Sequence, residues 1–354
     1  MKPCVVHLTP VDGSMQASAR VARFLADTLN LPLVDSADTM FDYLRRSAEL
    51  GHGQRDITAI FVNGPIAFCG FRDEMGLNLL PHVKRVVWVQ QDYTITLPPN
   101  QAYSRPTKAE TPFRAQFHSI PEVHLWSTCQ DVLAKRQAKL VPGYAKDEYV
   151  NWNALTYAPA DMPPPESPKL LYYGALRADR EAALRRFFDG PAGLNTVISM
   201  SNPNKTMTAK WIDIVGNGPG FVGPLKGEGR RAVNGNRWGE QALLGSIGAY
   251  QHALYIADDA SNGAFHSLAN RFYEALSTPH TVLWLDAAGA ATYEKAGLRR
   301  WRDYAVEDGE ELAANMRRKP AALRANARNQ RDYWLITDPF KALQAKVKQL
   351  GRTL

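Results

Sequence analysis

The chain has 354 residues, 45% hydrophobic and 22% charged, a length that predicts about two domains and a composition that can bury a large core, so disorder, collagen and coiled coil are excluded. The net charge of +7 is uneven, with 16 Lys+Arg against 15 Asp+Glu over residues 1–160 and 26 against 20 over the rest, an excess that admits a polyanionic partner without requiring one. No run of about 18 apolar residues marks a spanning helix, the start MKPCVVHLTPVDGS does not read as a signal peptide, and the dispersed Cys4, Cys69 and Cys129 form neither a zinc pattern nor a disulfide framework, which predicts no membrane partner and a reducing, cytoplasmic setting.

Short apolar runs alternate with helix-like segments along the chain. Residues 4–8 read as a strand, and 17–29 as a helix with Val21, Phe24, Leu25 and Leu29 at helical spacing. Strands are predicted over 57–62, 85–89 and 123–126, with a helix over 132–139. Residues 158–168 form the densest proline segment and read as a linker. The alternation then resumes: strand 169–173, helix 179–188, strand 196–198, helix 240–250, strand 253–257, helix 266–276 and strand 281–285. From Glu310 onward the chain reads as helical and basic, broken by Pro320 and Pro339. Strands separated by helices imply parallel sheets, here in two α/β halves with a cleft expected between them.

Four groups of residues could carry chemistry. Gly174, Ala175, Arg177 and Arg180 follow a predicted strand and precede a predicted helix. Glycine admits close backbone approach, a helix start offers free N–H groups, and arginine forks suit phosphate oxygens; the same run also serves as a βα turn with two solvated arginines. Arg271 and Glu274 share a helix face at i, i+3. They suit a phosphate beside a sugar diol, or form a surface ion pair. Asp92 follows the strand 85–89, as a general base or a turn residue. Asp258 and Asp259 suit a divalent cation or a cap. The basic clusters after Arg299 could meet DNA phosphates or be solvated helix faces. The irregular segment 96–118 carries Arg105, Lys108 and Arg114 and follows the strand that leads to Asp92. No Ser-His-Asp, Walker or His-rich metal motif is present.

Separated landmarks together resemble the DNA β-glucosyltransferases of T-even phages. They are Phe61-Val62-Asn63 with Phe68-Cys69-Gly70, the strand ending toward Asp92, Tyr173-Gly174-Ala175-Leu176-Arg177 with Arg180-Glu181, Phe221-Val222-Gly223, and Asn270-Arg271-Phe272-Tyr273-Glu274-Ala275. The resemblance runs over nearly the whole chain in order. It implies the GT-B fold, two Rossmann-like α/β domains whose parallel sheets face a central cleft. It implies an acceptor and DNA-side domain over 1–160, a UDP-sugar domain over 161–337, and a helix over 338–354 crossing back to the first domain. It further implies inverting transfer of a sugar, glucose first, from a UDP-sugar to a 5-hydroxymethylated or otherwise hydroxylated pyrimidine in duplex DNA. Asp92 would be the base; Gly174, Ala175, Arg177, Arg180, Gly223, Leu225, Arg271 and Glu274 would hold the donor. Arg105, Lys108 and Arg114 are the DNA-side candidates, the base would be flipped out of the duplex, and the enzyme is expected to act as a monomer. The arginine set can replace a metal, so a divalent cation is compatible with this account but not required by it. The family's serine beside the first phosphate arginine is Ala175 here, and its acidic residue near the first helix has no clear match in residues 14–18. A GT-B enzyme with a glycan, small-molecule or protein acceptor is the alternative, and a binding module that kept the fold and lost catalysis is a third reading.

Overall fold

The computed structural model describes residues 3–7, 16–51, 56–62, 79–90, 120–128, 144–157, 161–165, 167–175, 181–188, 196–201, 244–245, 247–257, 268–318, 321–323, 327, 330–331, 334–335 and 337–354. In the first half, β1 (Cys4–Val6), β2 (Leu33–Val34), β3 (Ile57–Val62), β4 (Val83–Gln90), β5 (Glu122–Ser127) and β6 (Tyr144–Tyr149) form one sheet in the order β2-β1-β3-β4-β5-β6. Every pairing is parallel. A parallel sheet covered on both faces favours unbroken apolar strands. β3 reads ITAIFV, and all of it but Thr58 is buried. α1 (Gln16–Leu29) turns Val21, Ala22 and Leu25 into this core. Trp152, also fully buried, donates its indole N–H to the Trp126 carbonyl at 3.1 Å, which satisfies a polar atom that burial would otherwise penalise.

The second sheet is built from β7 (Ser167–Ala175), β8 (Thr196–Ser201), β9 (Tyr250–Tyr255), β10 (Val282–Asp286) and β11 (Ala305–Val306), in the order β11-β10-β9-β7-β8. It too is wholly parallel. Its helices are α3 (Glu181–Phe188), α4 (Asn270–Leu276), α5 (Ala290–Lys295) and α6 (Gly309–Met316), and α7 (Pro339–Gly351) follows.

The chain divides into two units, Met1–Leu155 with Lys341–Leu354, and Thr156–Phe340. Within the first unit α7 buries Leu343, Val347 and Leu350, and Lys346 Nζ donates to Glu148 Oε2 at 2.7 Å. Gly351 lies so close to Leu29 that a Cβ there would sit 2.3 Å from Leu29 Cδ2. Among the described residues no helix is long and apolar enough to cross a membrane.

Several expected boundaries move, each for a local reason. β7 runs through Gly174 and Ala175, which pair with Met200 and Ser201 of β8, so these two residues belong to a strand and not to a turn. Ser167 and Pro168, expected in the linker, open the same strand. Tyr250, expected to end a helix, opens β9 by pairing with Ser167. The helix expected over 266–276 starts at Asn270, because Leu268 and Ala269 are extended or irregular and the Ala269 N–H donates to the Tyr255 hydroxyl at 2.9 Å. Pro339 is the first residue of α7, within the span expected for the C-terminal helix, and the break expected there lies just before it. Asp338 Oδ1 accepts from the Phe340 N–H at 2.9 Å, and proline at a first helical position surrenders no bond. A helix with no counterpart among the predicted elements, α2, spans Ala37–Glu49. Ser36 and Thr39 cap it reciprocally, Thr39 N–H to Ser36 Oγ at 3.2 Å and Ser36 N–H to Thr39 Oγ1 at 3.0 Å. Its buried side is only Met40, Tyr43 and Ser47, while Phe41 is exposed, which blurs the apolar period. The edge strand β6, YAKDEY, carries no apolar run to announce it. The helix expected over 132–139 lies outside the described residues.

Candidate functional site

In both sheets the strand order reverses beside the first strand: between β1 and β3 in one unit, and between β7 and β9 in the other. Ligands of open parallel sheets bind outside the carboxyl ends of the strands at such switch points. In the second unit Arg271 occupies that point. Its Nη1 donates to the Tyr173 carbonyl of β7 at 3.2 Å, and its Nη2 to the Ile256 carbonyl just past β9 at 3.0 Å. One guanidinium therefore spans the two strands that define the switch. Its carbon lies 5.7 Å from the centre of the Tyr255 ring, a cation–π contact.

The helix that carries Arg271 is short, and side chains from elsewhere hold both of its ends. At the start, the Tyr255 hydroxyl takes the Ala269 N–H. At the end, Arg331 Nε donates to the Leu276 carbonyl at 2.9 Å and Nη2 to the Ser277 carbonyl at 2.7 Å. Cations at a helix C-terminus satisfy orphan carbonyls and oppose the dipole. Phe272 anchors the buried side, edge-on to Tyr255 at 5.7 Å and stacked on Trp334 at 5.6 Å.

Arg271 and Glu274 do share a face, as their spacing implies, but they are joined through a third residue. The Tyr173 hydroxyl sits 3.0 Å from the Arg271 carbonyl and 3.0 Å from Glu274 Oε2. Burial and then the Glu274 charge push the Tyr173 phenol well above its ordinary pKa, so it remains a donor. Asn270 Oδ1, one residue before Arg271, is a buried acceptor with no partner among the described residues.

At the switch point of the first unit stands His7, immediately after β1. Its Nε2 lies 3.1 Å from Ser18 Oγ in the first turn of α1, and both residues are buried. Neither is among the residues expected to carry chemistry. A histidine inside an apolar run was the available signal.

Asp92, two residues beyond the end of β4, lies outside the described residues. So do Arg177, Arg180, Gly223, Leu225, Arg105, Lys108, Arg114 and the pair Asp258-Asp259. Among the described residues no group of three or more His, Cys, Asp or Glu could hold a metal ion.

No protein-family model matches the chain. No curated protein sequence matches it significantly. Solved structures do resemble it. A bacteriophage T4 β-glucosyltransferase bound to UDP-glucose superposes with a TM-score of 0.65 at 14% identity, over 100% of this chain and 99% of that one. The T4 enzyme with UDP and Mn2+ gives 0.63 at 16% identity, over 100% and 98%. The Anabaena HepE protein with UDP and glucose gives 0.53 at 10% identity, over 100% of both chains. Two parallel Rossmann-like sheets, each with its switch point beside its first strand, and full-length likeness to these proteins assign the chain the GT-B α/β fold.

Proposed function

We propose that this protein is a UDP-sugar-dependent glycosyltransferase that moves a sugar, glucose first, onto a 5-hydroxymethylated pyrimidine of duplex DNA with inversion. The observation that carries the donor half is Arg271 at the β7/β9 switch point, held by two strand-end carbonyls. A guanidinium has five N–H donors, and those two bonds use two of them. The remainder suits the oxygens of a diphosphate. Glu274, on the same face of α4, suits the ribose hydroxyls. Gly174, Ala175, Arg177 and Arg180, at and after the end of β7, complete the diphosphate side, and Gly223 and Leu225 the uracil side. Full-length likeness to a T4 enzyme whose crystals hold UDP-glucose supports this donor.

The chemistry requires a base, a hydroxyl and the anomeric carbon in line. Asp92 takes the proton of the acceptor hydroxymethyl group as its oxygen attacks the sugar carbon. The bond to UDP breaks on the opposite face, which inverts the configuration. Arg177, Arg180 and Arg271 stabilise the negative charge that develops on the departing diphosphate. Arg105, Lys108 and Arg114 meet DNA phosphates. The base is flipped from the stack so that its hydroxyl can reach the donor. A divalent cation could assist the leaving group, but no step above depends on it. The protein works as a cytoplasmic monomer.

The test is mass spectrometry of nucleosides after incubation with UDP-glucose and duplexes carrying cytosine, 5-hydroxymethylcytosine or 5-hydroxymethyluracil. A hexose on one hydroxymethylated base establishes donor, reaction and acceptor together. UDP binding with no DNA product moves the acceptor to a glycan, small molecule or protein. Neither binding nor product removes the donor assignment.

A further inference from the structure

α7 and the three residues after it carry four cations, Lys341, Lys346, Lys348 and Arg352, and neither an aspartate nor a glutamate. The helix has two sides. Leu343, Val347 and Leu350 are buried in the first unit. Lys341, Ala345, Lys348 and Arg352 recur at intervals of four, three and four residues, the spacing of one helix face, and all four are exposed. A helix rises about 1.5 Å per residue, so this stripe extends about 17 Å.

The stripe is held in place by its neighbours. Lys346 is bound to Glu148 of β6, and Gly351 lies against Leu29 of α1. Lys348 and Arg352 make no ion pair among the described residues. They stand four residues apart, and like charges at that spacing oppose a helix. An anion lying over both removes that cost. Duplex DNA presents one phosphate charge per about 1.7 Å of its axis, enough to meet every cation of the stripe. An anionic membrane offers the same sign of charge, but a helix binds a membrane surface through a free apolar face. Here that face is already in the protein core.

We infer that the exposed face of α7 is a duplex-binding surface, on which Lys341, Lys348 and Arg352 lie along one phosphate backbone of the DNA that carries the acceptor base. The inference rests on the DNA-acceptor reading above and extends it to residues that touch neither the sugar nor the base. Phosphate contacts fix the position of a duplex and carry no sequence choice. The stripe therefore adds affinity and salt dependence, and leaves the choice of modified base to the sugar-transfer site.

The experiment is fluorescence anisotropy of short labelled duplexes, carrying cytosine or 5-hydroxymethylcytosine, with the full-length protein between about 50 and 200 mM salt. Each phosphate contact contributes about 0.9 to the slope of log affinity against log salt, so Lys348→Gln/Arg352→Gln should flatten the slope by about 1.8 and weaken binding by roughly tenfold or more near 0.1 M salt. The loss should be equal on both duplexes, since their phosphates are alike. Lys348→Arg/Arg352→Lys keeps both charges and should keep the slope. Arg317→Gln/Arg318→Gln removes the same charge from exposed positions of the second unit and should leave the slope as in wild type. UDP affinity by calorimetry should be unchanged throughout, which shows that each variant is folded. Lys341→Gln/Lys348→Gln reads the same slope should the first pair fold poorly. An unchanged slope in the stripe variants, or an equal loss from Arg317→Gln/Arg318→Gln, overturns the inference and leaves the DNA reading standing. Wild type that binds UDP but neither duplex overturns the DNA reading and the inference with it. Wild type that binds phosphatidylglycerol vesicles in preference to either duplex, through the same two side chains, also overturns the inference and assigns the stripe to a membrane.

Discussion

Arg271 and Tyr173 hold each other in both directions across 98 residues of sequence. The arginine's Nη1 donates to the tyrosine carbonyl at 3.2 Å, and the tyrosine hydroxyl donates to the arginine carbonyl at 3.0 Å. Side chain meets main chain twice. The second arginine fork, on the Ile256 carbonyl, ties in β9. The start of α4 is thus fixed over the carboxyl ends of two strands, and a half-buried guanidinium is oriented before any ligand binds.

That arrangement predicts that the charge alone is not enough. Arg271→Ala should weaken UDP by about 1.5–3 kcal/mol, the range for hydrogen bonds to charged groups. Arg271→Lys should recover little of it, since a lysine is a compact point charge without the planar fork that reaches both carbonyls. Calorimetry on the two variants checks this, and a lysine variant equal to wild type would refute the bridging role.

Arg331 offers a test of stability rather than binding. Its two bonds cap the last carbonyls of α4, at Leu276 and Ser277. Arg331→Ala should lower unfolding stability by about 1.5–3 kcal/mol, because buried carbonyls lose a charged donor. Denaturant unfolding of wild type and variant measures it. Loss below about 0.5 kcal/mol would place the cap among exposed ion pairs of little consequence.

How much of this was legible in the sequence depends on whether the signal is local. Strands such as ITAIFV at 57–62 announce themselves, since a buried parallel strand must be apolar throughout. The Arg271/Glu274 pair was legible from its spacing. The part played by Tyr173 was not, because its partners lie about a hundred residues away and only the sheet order brings them together. Gln330 is similar. Its amide donates to the Leu283 carbonyl at 2.7 Å and accepts the Leu283 N–H at 2.9 Å, prolonging the β10 edge where β11 has not yet begun to pair. No local pattern marks a glutamine as a piece of a sheet.

That substitute pairing makes a sharp prediction. Gln330→Leu keeps the apolar bulk and strands both main-chain groups of Leu283. An unsatisfied buried group costs about 1–3 kcal/mol, so the variant should lose at least that much. Equal thermal stability of Gln330→Leu and wild type would show that water or another group takes over both bonds.

His252 links stability to pH. It is buried, its Nδ1 accepts the Trp284 indole N–H at 3.2 Å, and burial lowers its pKa from 6.5 to about 4. The folded protein therefore holds the imidazole neutral while the unfolded chain takes up a proton below about pH 6.5. The stability due to neutral His252 is complete above the unfolded pKa and is lost as pH falls from 6.5 through about 4. The total is roughly 3 kcal/mol. Denaturant midpoints at pH 7 and pH 4.5 for wild type and His252→Gln should converge in acid. A constant gap at both pH values would show that His252 titrates alike in both states.

The base and the donor site should separate in kinetics. Asp92 follows β4 by two residues and, in the proposed reaction, acts only on the acceptor proton, whereas Arg271 acts on the leaving diphosphate. A positioned general base contributes about 10²–10⁴ in rate, so Asp92→Asn should reduce sugar transfer by that factor. UDP affinity should hardly change, because the carboxylate does not contact the diphosphate. Arg271→Ala should instead weaken UDP and slow transfer together, since the same guanidinium binds the ground state and the charge that develops as the bond to UDP breaks. Steady-state rates with a hydroxymethylated duplex, alongside UDP calorimetry, distinguish the two patterns. Asp92→Asn with wild-type turnover would remove Asp92 as the base, and would direct attention to His7, the titratable side chain at the β1/β3 switch point of the same unit.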